Sequence, residues 1–190
     1  MGGNSLFKNH AGSNPLCLGG FYMVTLGKTG ITVIKNGFGA LPIQRVGTED
    51  AVKLLHMAYD GGIRFFDTAR FYTDSEVKLG HAFADIRDKI YIASKTGAQA
   101  AEGFWRDLET TLTNLKTDYL DLYQFHNLGF VPKPGDESGL YDAMLKAKRT
   151  GKVRHIGMTN HRITLAHEII DCGLYETLQF PFSYLATDAN

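Results

Sequence analysis

Two hydrophobic periods take turns along this chain. Apolar residues spaced three and four apart alternate with short apolar runs of strand length. The helical spacing predicts helices over Thr48–Tyr59, from Ser75 through Ile86, and over Glu102–Lys116, Ser138–Thr150 and Arg162–Asp171. Thr48 and Ser75 are placed to cap the first two, and Gly61-Gly62, Gly151 and Gly173 are placed to end helices. The clearest stripe is Trp105, Leu108, Leu112 and Leu115. Strand-like runs fall at Asn36–Leu41, Ile63–Phe66, Ile90–Ala93, Tyr119–Phe125, Val153–Ile156 and Leu178–Phe182. Ahead of them, Thr25–Val33 holds two apolar runs around Lys28-Thr29-Gly30 and reads as a short β-hairpin.

Six strands alternating with five helices predict a parallel α/β sheet. An open doubly wound sheet usually carries a Gly-rich phosphate loop after its first strand. Here that position holds Gly37-Phe38-Gly39-Ala40-Leu41-Pro42, which lacks the third glycine and runs into a proline. The closed TIM-type (β/α)₈ barrel is therefore preferred. A complete barrel takes about 250 residues, so these 190 residues are expected to supply about six of its eight βα units. An open six-stranded sheet would leave two unpaired edges, which natural proteins avoid. The chain is thus expected to be part of a longer protein, or else to assemble with something that closes it.

Composition narrows the class. With 44% hydrophobic residues, and twenty basic side chains against twenty acidic ones, the chain suits a globular domain with a small-molecule partner. No basic block predicts a nucleic-acid surface. No apolar run reaches the ~18–20 residues of a membrane span. The two cysteines, Cys17 and Cys172, suggest neither a disulfide scaffold nor a zinc site and fit a reducing cytoplasm. Residues 1–22 are Gly/Asn-rich and lack either period, so they are expected to be a disordered or extraneous leader, with the barrel domain at 23–190 starting from Met23. Nothing in the sequence favours one oligomeric state.

Barrels of this kind place chemistry at the C-terminal ends of their strands. Reading those ends yields Asp67, with Tyr72 just after it, then Lys95, His126 and Thr159-Asn160. Strand parity puts His126 on the same face as Leu120, Leu122 and Gln124, where it can point into the barrel mouth. Each residue alone has an ordinary reading: a turn cap for Asp67, a surface aromatic for Tyr72, a solvated charge for Lys95, a structural histidine for His126, a helix cap for Thr159-Asn160. Their shared position at one end of consecutive strands favours a site.

These stretches resemble the aldo-keto reductase superfamily. The resemblance is carried by LGKTGITV and GFGALP, FFDTARFYTDSEVKLG, IASK, DLETTLTNLKTDYLDLYQFHN, GKVRHIGMTN and LQFPFSYL, and it covers about Val24 to Tyr184. The first motifs are most similar to a microbial oxidoreductase branch whose longer members carry an iron–sulfur region, for which this chain has no cysteine cluster. The resemblance implies a catalytic tetrad at Asp67, Tyr72, Lys95 and His126. It also implies nicotinamide contacts at Thr159, Asn160 and Gln179. Thr159 stands where the family more often has Ser, and it keeps the hydroxyl. The family's adenosine-phosphate segment and its nicotinamide-stacking aromatic have no counterpart before Asn190.

The implied activity is NAD(P)H-dependent reduction of an aldehyde or ketone, or the reverse, with NADP(H) favoured by family habit and NAD(H) possible. Tyr72 would serve as the general acid, made a better proton donor by the neighbouring Lys95 ammonium, with Asp67 pairing the lysine. His126 would hydrogen-bond the substrate oxygen. Two other readings remain: a nicotinamide-nucleotide-binding sensor barrel, and an inactive truncated reductase.

Overall fold

A strand lying between helices on one side and a closed interior on the other must be buried on both faces. The run from Leu120 to Phe125 is buried at every position. The computed structural model describes residues 17–18 and 21–182. Its strands and α-helices in chain order are β1 (Cys17–Leu18), β2 (Phe21–Thr25), β3 (Thr32–Ile34), β4 (Phe38–Gly39), α1 (Thr48–Asp60), β5 (Phe65–Asp67), α2 (Ser75–Phe83), β6 (Tyr91–Thr96), α3 (Ala101–Leu115), β7 (Leu120–His126), α4 (Leu140–Arg149), β8 (Val153–Thr159), α5 (Ile163–Cys172) and β9 (Thr177–Gln179). Strands β4 to β9 pair in parallel and in sequence order. The sheet curls inside its helices and, among the described residues, forms five βα units and the sixth strand of a (β/α)₈ barrel. Among the described residues, no helix is long and apolar enough to cross a membrane.

The outer face of the sheet meets the helices and holds most of the apolar core. Tyr123 and Phe125 of β7 stand 5.6 and 6.3 Å from Phe104 of α3, centroid to centroid, and Phe66 of β5 stands 4.5 Å from Phe83 of α2. Each such ring, fully buried, contributes on the order of 1.5–3 kcal/mol. The α3 stripe is led by Phe104 rather than Trp105. Phe104 is fully buried, while Trp105 is half-buried and packs edge-on against it.

Ends differ from expectation in a consistent way. Strands β6 and β8 run three residues further than their apolar runs, because neighbouring strands offer hydrogen-bond partners regardless of side chain: Lys95 pairs with Gln124, and Thr159 with His126. In the other direction, β4 keeps only Phe38–Gly39 of the expected Asn36–Leu41. The remaining positions are irregular, and a 3₁₀ turn over Pro42–Arg45 follows, where Pro42 has no N–H to give a sheet. Gly47, not Thr48, occupies the cap position of α1. Ser75 does not cap α2; its hydroxyl is buried and donates to the Ala40 carbonyl at 2.9 Å.

The hairpin is present as β2–β3, with Val24 opposite Val33. Its turn docks at the opposite edge of the sheet, where Lys28 N donates to the Glu176 carbonyl at 2.8 Å. Gly27 has φ +52°, and a Cβ there would lie 2.1 Å from that carbonyl, so only glycine fits. Of the leader expected at 1–22, residues 1–16 and 19–20 lie outside the described residues. Cys17–Leu18 and Phe21–Tyr22 pair antiparallel, so regular structure starts ahead of Met23.

Candidate active site

The strand register brings the polar strand ends together. His126, Thr159 and Gln179 are the last residues of β7, β8 and β9 and stand in one row, His126 beside Thr159 and Thr159 beside Gln179. Two residues deeper, Lys95 on β6 stands beside Gln124 on β7. Asp67 ends β5, and Tyr72 follows in the loop before α2. Tyr72, Lys95, His126, Thr159 and Gln179 line one cavity of about 200 Å³, together with His161, Phe180 and Pro181. A larger open depression of about 460 Å³ lies on the opposite side of the fold, around Arg87, Lys116 and Tyr119, away from these groups.

Lys95 anchors the centre. Its ammonium is 2% exposed and donates to Asp67 Oδ2 at 2.6 Å and to the Thr68 carbonyl at 2.8 Å. Burial holds the Asp67 carboxyl above its ordinary value and the Lys95 ammonium below its own, and in each case the partner's charge opposes the shift. The Gln179 amide also favours the Asp67 carboxylate, which places the last strand across the interior from β5. Asp67 Oδ1 has no hydrogen-bond partner.

Tyr72 and His126 flank this pair. The Lys95 nitrogen lies 5.2 Å from the Tyr72 ring centroid, and the Tyr72 and His126 rings meet edge to face at 5.8 Å. The expected acidification of Tyr72 is not seen. Burial, and then the Asp67 carboxylate, raise its phenol above the ordinary value. The physical reason is burial first, which penalises the charged phenolate more than the neutral phenol, and then repulsion from the Asp67 carboxylate. His126 is driven to about 4 by burial, then by Lys95 and His161, so its imidazole is neutral at physiological pH. Its Nδ1 is buried without a partner.

The three residues expected to contact nicotinamide divide. The Thr159 hydroxyl is buried, faces the cavity and is unpartnered. Gln179 accepts from Gln124 Nε2 at 3.3 Å through its carbonyl oxygen, and its NH₂ is turned toward the Asp67 carboxylate. Asn160 is fully buried and does not line the cavity. Its Nδ2 donates to the Leu128 carbonyl at 2.9 Å, and its Oδ1 accepts from Arg162 N at 2.9 Å, bracing the loop into α5. Thr159 and Gln179 together offer the donor and acceptor that a carboxamide needs.

Several residues of the site are not marked by the sequence pattern. His161 follows the strand-end pair Thr159-Asn160, and its own signal, one imidazole at the start of a loop, is weak. Phe180 and Pro181 close the cavity beyond β9. Phe71 lies 5.7 Å from His126 and is 64% exposed at the rim.

The family model for the Aldo/keto reductase family matches residues 33–186, and the chain belongs to that family. L-galactose dehydrogenase of Arabidopsis thaliana is 32% identical over 161 residues, 77% of this chain and 50% of that protein. An NADPH-dependent codeinone reductase of Papaver somniferum is 31% identical over 174 residues, 80% of this chain and 54% of the relative. The chain spans about half the length of the curated relatives it matches. Among solved structures, an aldo-keto reductase from Klebsiella pneumoniae in complex with NADPH superposes with a TM-score of 0.72 at 26% identity, covering 85% of this chain and 58% of that one. The holo form of an aldo-keto reductase from Bacillus halodurans, 24% identical, shares the fold with a TM-score of 0.76 and covers 86% of this chain and 58% of its own.

Proposed function

We propose that this chain carries the catalytic rim of an NADP(H)-dependent carbonyl reductase. The observation that carries the reading is the buried Asp67–Lys95 pair, 2.6 Å apart, on a cavity shared by a phenol, a neutral imidazole, and an unpartnered hydroxyl beside an amide. Family membership and the NADPH complex of the Klebsiella relative support the choice of cofactor. Nicotinamide cofactors, when bound, supply a hydride to the carbonyl carbon.

The residues then divide the remaining work. Tyr72 donates its phenolic proton to the carbonyl oxygen as negative charge develops there. A phenol that stays protonated through neutral pH is in the state this direction requires. The Lys95 ammonium stabilises the resulting phenolate, and Asp67 holds the ammonium in place. His126, being neutral, donates one N–H to the same oxygen and orients it without competing for the proton. The Thr159 hydroxyl and the Gln179 amide suit the carboxamide of the cofactor, while Asn160 fixes the loop that carries them. The substrate class is a small aldehyde or ketone.

The test is turnover. With a panel of simple aldehydes, the protein is expected to consume NADPH catalytically. Tight stoichiometric NADPH binding without turnover would instead mark a nucleotide sensor and overturn the reductase reading.

A further inference from the structure

Glu76 is a buried carboxylate that the reaction above does not use. Its side chain is 1% exposed at the start of α2, and it accepts from four donors in three different segments. Ser94 Oγ and Thr111 Oγ1 donate to Oε1, each at 2.8 Å. Asn114 Nδ2 donates to Oε2 at 3.1 Å, and the Arg70 guanidinium pairs with that same oxygen. An ionised carboxylate is acceptor-only, with about four lone-pair sites, and here all four are used.

The segments it joins are the informative part. Ser94 immediately precedes Lys95 on β6, and Arg70 lies two residues before Tyr72. Arg70 also reaches the same strand through its backbone, where its N–H donates to the Lys95 carbonyl at 3.0 Å. This closes a ring: Lys95 carbonyl, Arg70 backbone, Arg70 side chain, Glu76, Ser94, and back to Lys95. The other end of the loop is tied separately, with Thr68 Oγ1 2.8 Å from Ser75 Oγ and Ser75 bonded to the Ala40 carbonyl. Between these ties, the Tyr72 backbone bonds only within the loop, its N–H to the Ala69 carbonyl and its carbonyl to Ser75 N.

We propose that Glu76 is a positioning residue that clamps the Tyr72 loop to the Lys95 strand and so fixes the phenol relative to the ammonium, an inference that rests on the reductase reading above. A buried ion pair is by itself weak grounds for a stability role. The choice of partners, one beside each of two groups that must meet, favours registration instead. Reaction geometry is sensitive to displacement, and an error of about 1 Å can cost about 10²-fold in rate.

The test compares Glu76→Gln, which turns two acceptor sites into donors facing Asn114 and Arg70, with the milder Ser94→Ala. Residue-resolved amide hydrogen exchange on this chain reads the clamp without any cofactor. For Glu76→Gln, the Arg70, Tyr72 and Ser75 amides are expected to exchange at least about tenfold faster, while Tyr123 and Met158 in β7 and β8 stay within about twofold. In carbonyl reduction, kcat is expected to fall roughly 10–100-fold with the aldehyde KM held within about twofold. Uniform acceleration of exchange across the chain, or loop exchange and kcat both unchanged, would overturn the proposal. Should Glu76→Gln fail to fold, Ser94→Ala decides by the same criteria with a smaller effect. A wild-type protein without turnover would sink the reductase reading alone, and the exchange comparison would then decide the clamp by itself.

Discussion

Asp67 and Lys95 sit 28 positions apart in the chain and 2.6 Å apart in the fold, with the lysine nitrogen almost wholly out of water. The distance follows from β5 and β6 being adjacent parallel strands: Asp67 stands opposite Ala93, and Lys95, two residues further on the same face of β6, reaches it with its long side chain. Removing one partner leaves a buried charge uncompensated, which typically costs about 3–5 kcal/mol. Asp67→Asn is therefore expected to lose on that order of stability in urea unfolding, and Asp67→Asn with Lys95→Met to recover most of it. A double variant no more stable than Asp67→Asn would show that the pair is not a unit.

The pH dependence follows from two shifts of known sign. His126 is depressed to about 4, below its unfolded value of about 6.5. In that window the unfolded chain binds more protons, so stability present above about 6.5 is lost as pH falls toward 4. Tyr72 is raised above its ordinary 10, so its proton is retained through neutral and mildly alkaline pH. Reduction is expected to hold a plateau from about pH 5 to about pH 9 and to fall above about 10. An acid limb at the ordinary histidine value of about 6.5 would contradict the neutral imidazole.

Gly157 makes the Thr159–Gln179 side of the cavity sensitive to one methyl group. A Cβ there would lie 2.1 Å from Thr177 Oγ1 and 3.2 Å from both the Thr177 carbonyl oxygen and Gln124 Cγ, so Gly157→Ala must turn the Thr177 side chain and press on the β9 backbone. That displaces Gln179 from Thr159, its register partner. The expected result is at least about tenfold weaker NADPH binding by fluorescence titration, with the far-UV circular dichroism of the folded chain retained. Unchanged affinity would remove Gln179 from the proposed carboxamide contact.

Much of this was legible in the sequence because barrel units are local. Each helix and strand shows its own period, and sequential parallel pairing needs no long-range guess, so the strand ends carrying Asp67, Lys95, His126 and Thr159 could be read directly. Strand lengths were less legible. Lys95 and Thr159 are polar, and only their neighbours on β7 show that they lie within strands. Side-chain competition was harder still. Asn160 looks free in a linear string, yet the Leu128 carbonyl and Arg162 N occupy its amide. The direction of the Tyr72 shift depends on how deeply the ring is buried and on the Asp67 carboxylate beside it, which no spacing encodes. Glu76 reads as one more charge on a helix until Arg70, Ser94, Thr111 and Asn114 converge on it.

In the proposed reaction the Tyr72 hydroxyl delivers the proton at this rim. Single-turnover oxidation of bound NADPH by an excess of a simple aldehyde measures it most directly, with wild type set against Tyr72→Phe. The account predicts NADPH affinity within about twofold and a hydride-transfer rate lowered about 10²–10⁴-fold in the variant. A Tyr72→Phe protein that reduces the aldehyde at the wild-type rate would contradict it.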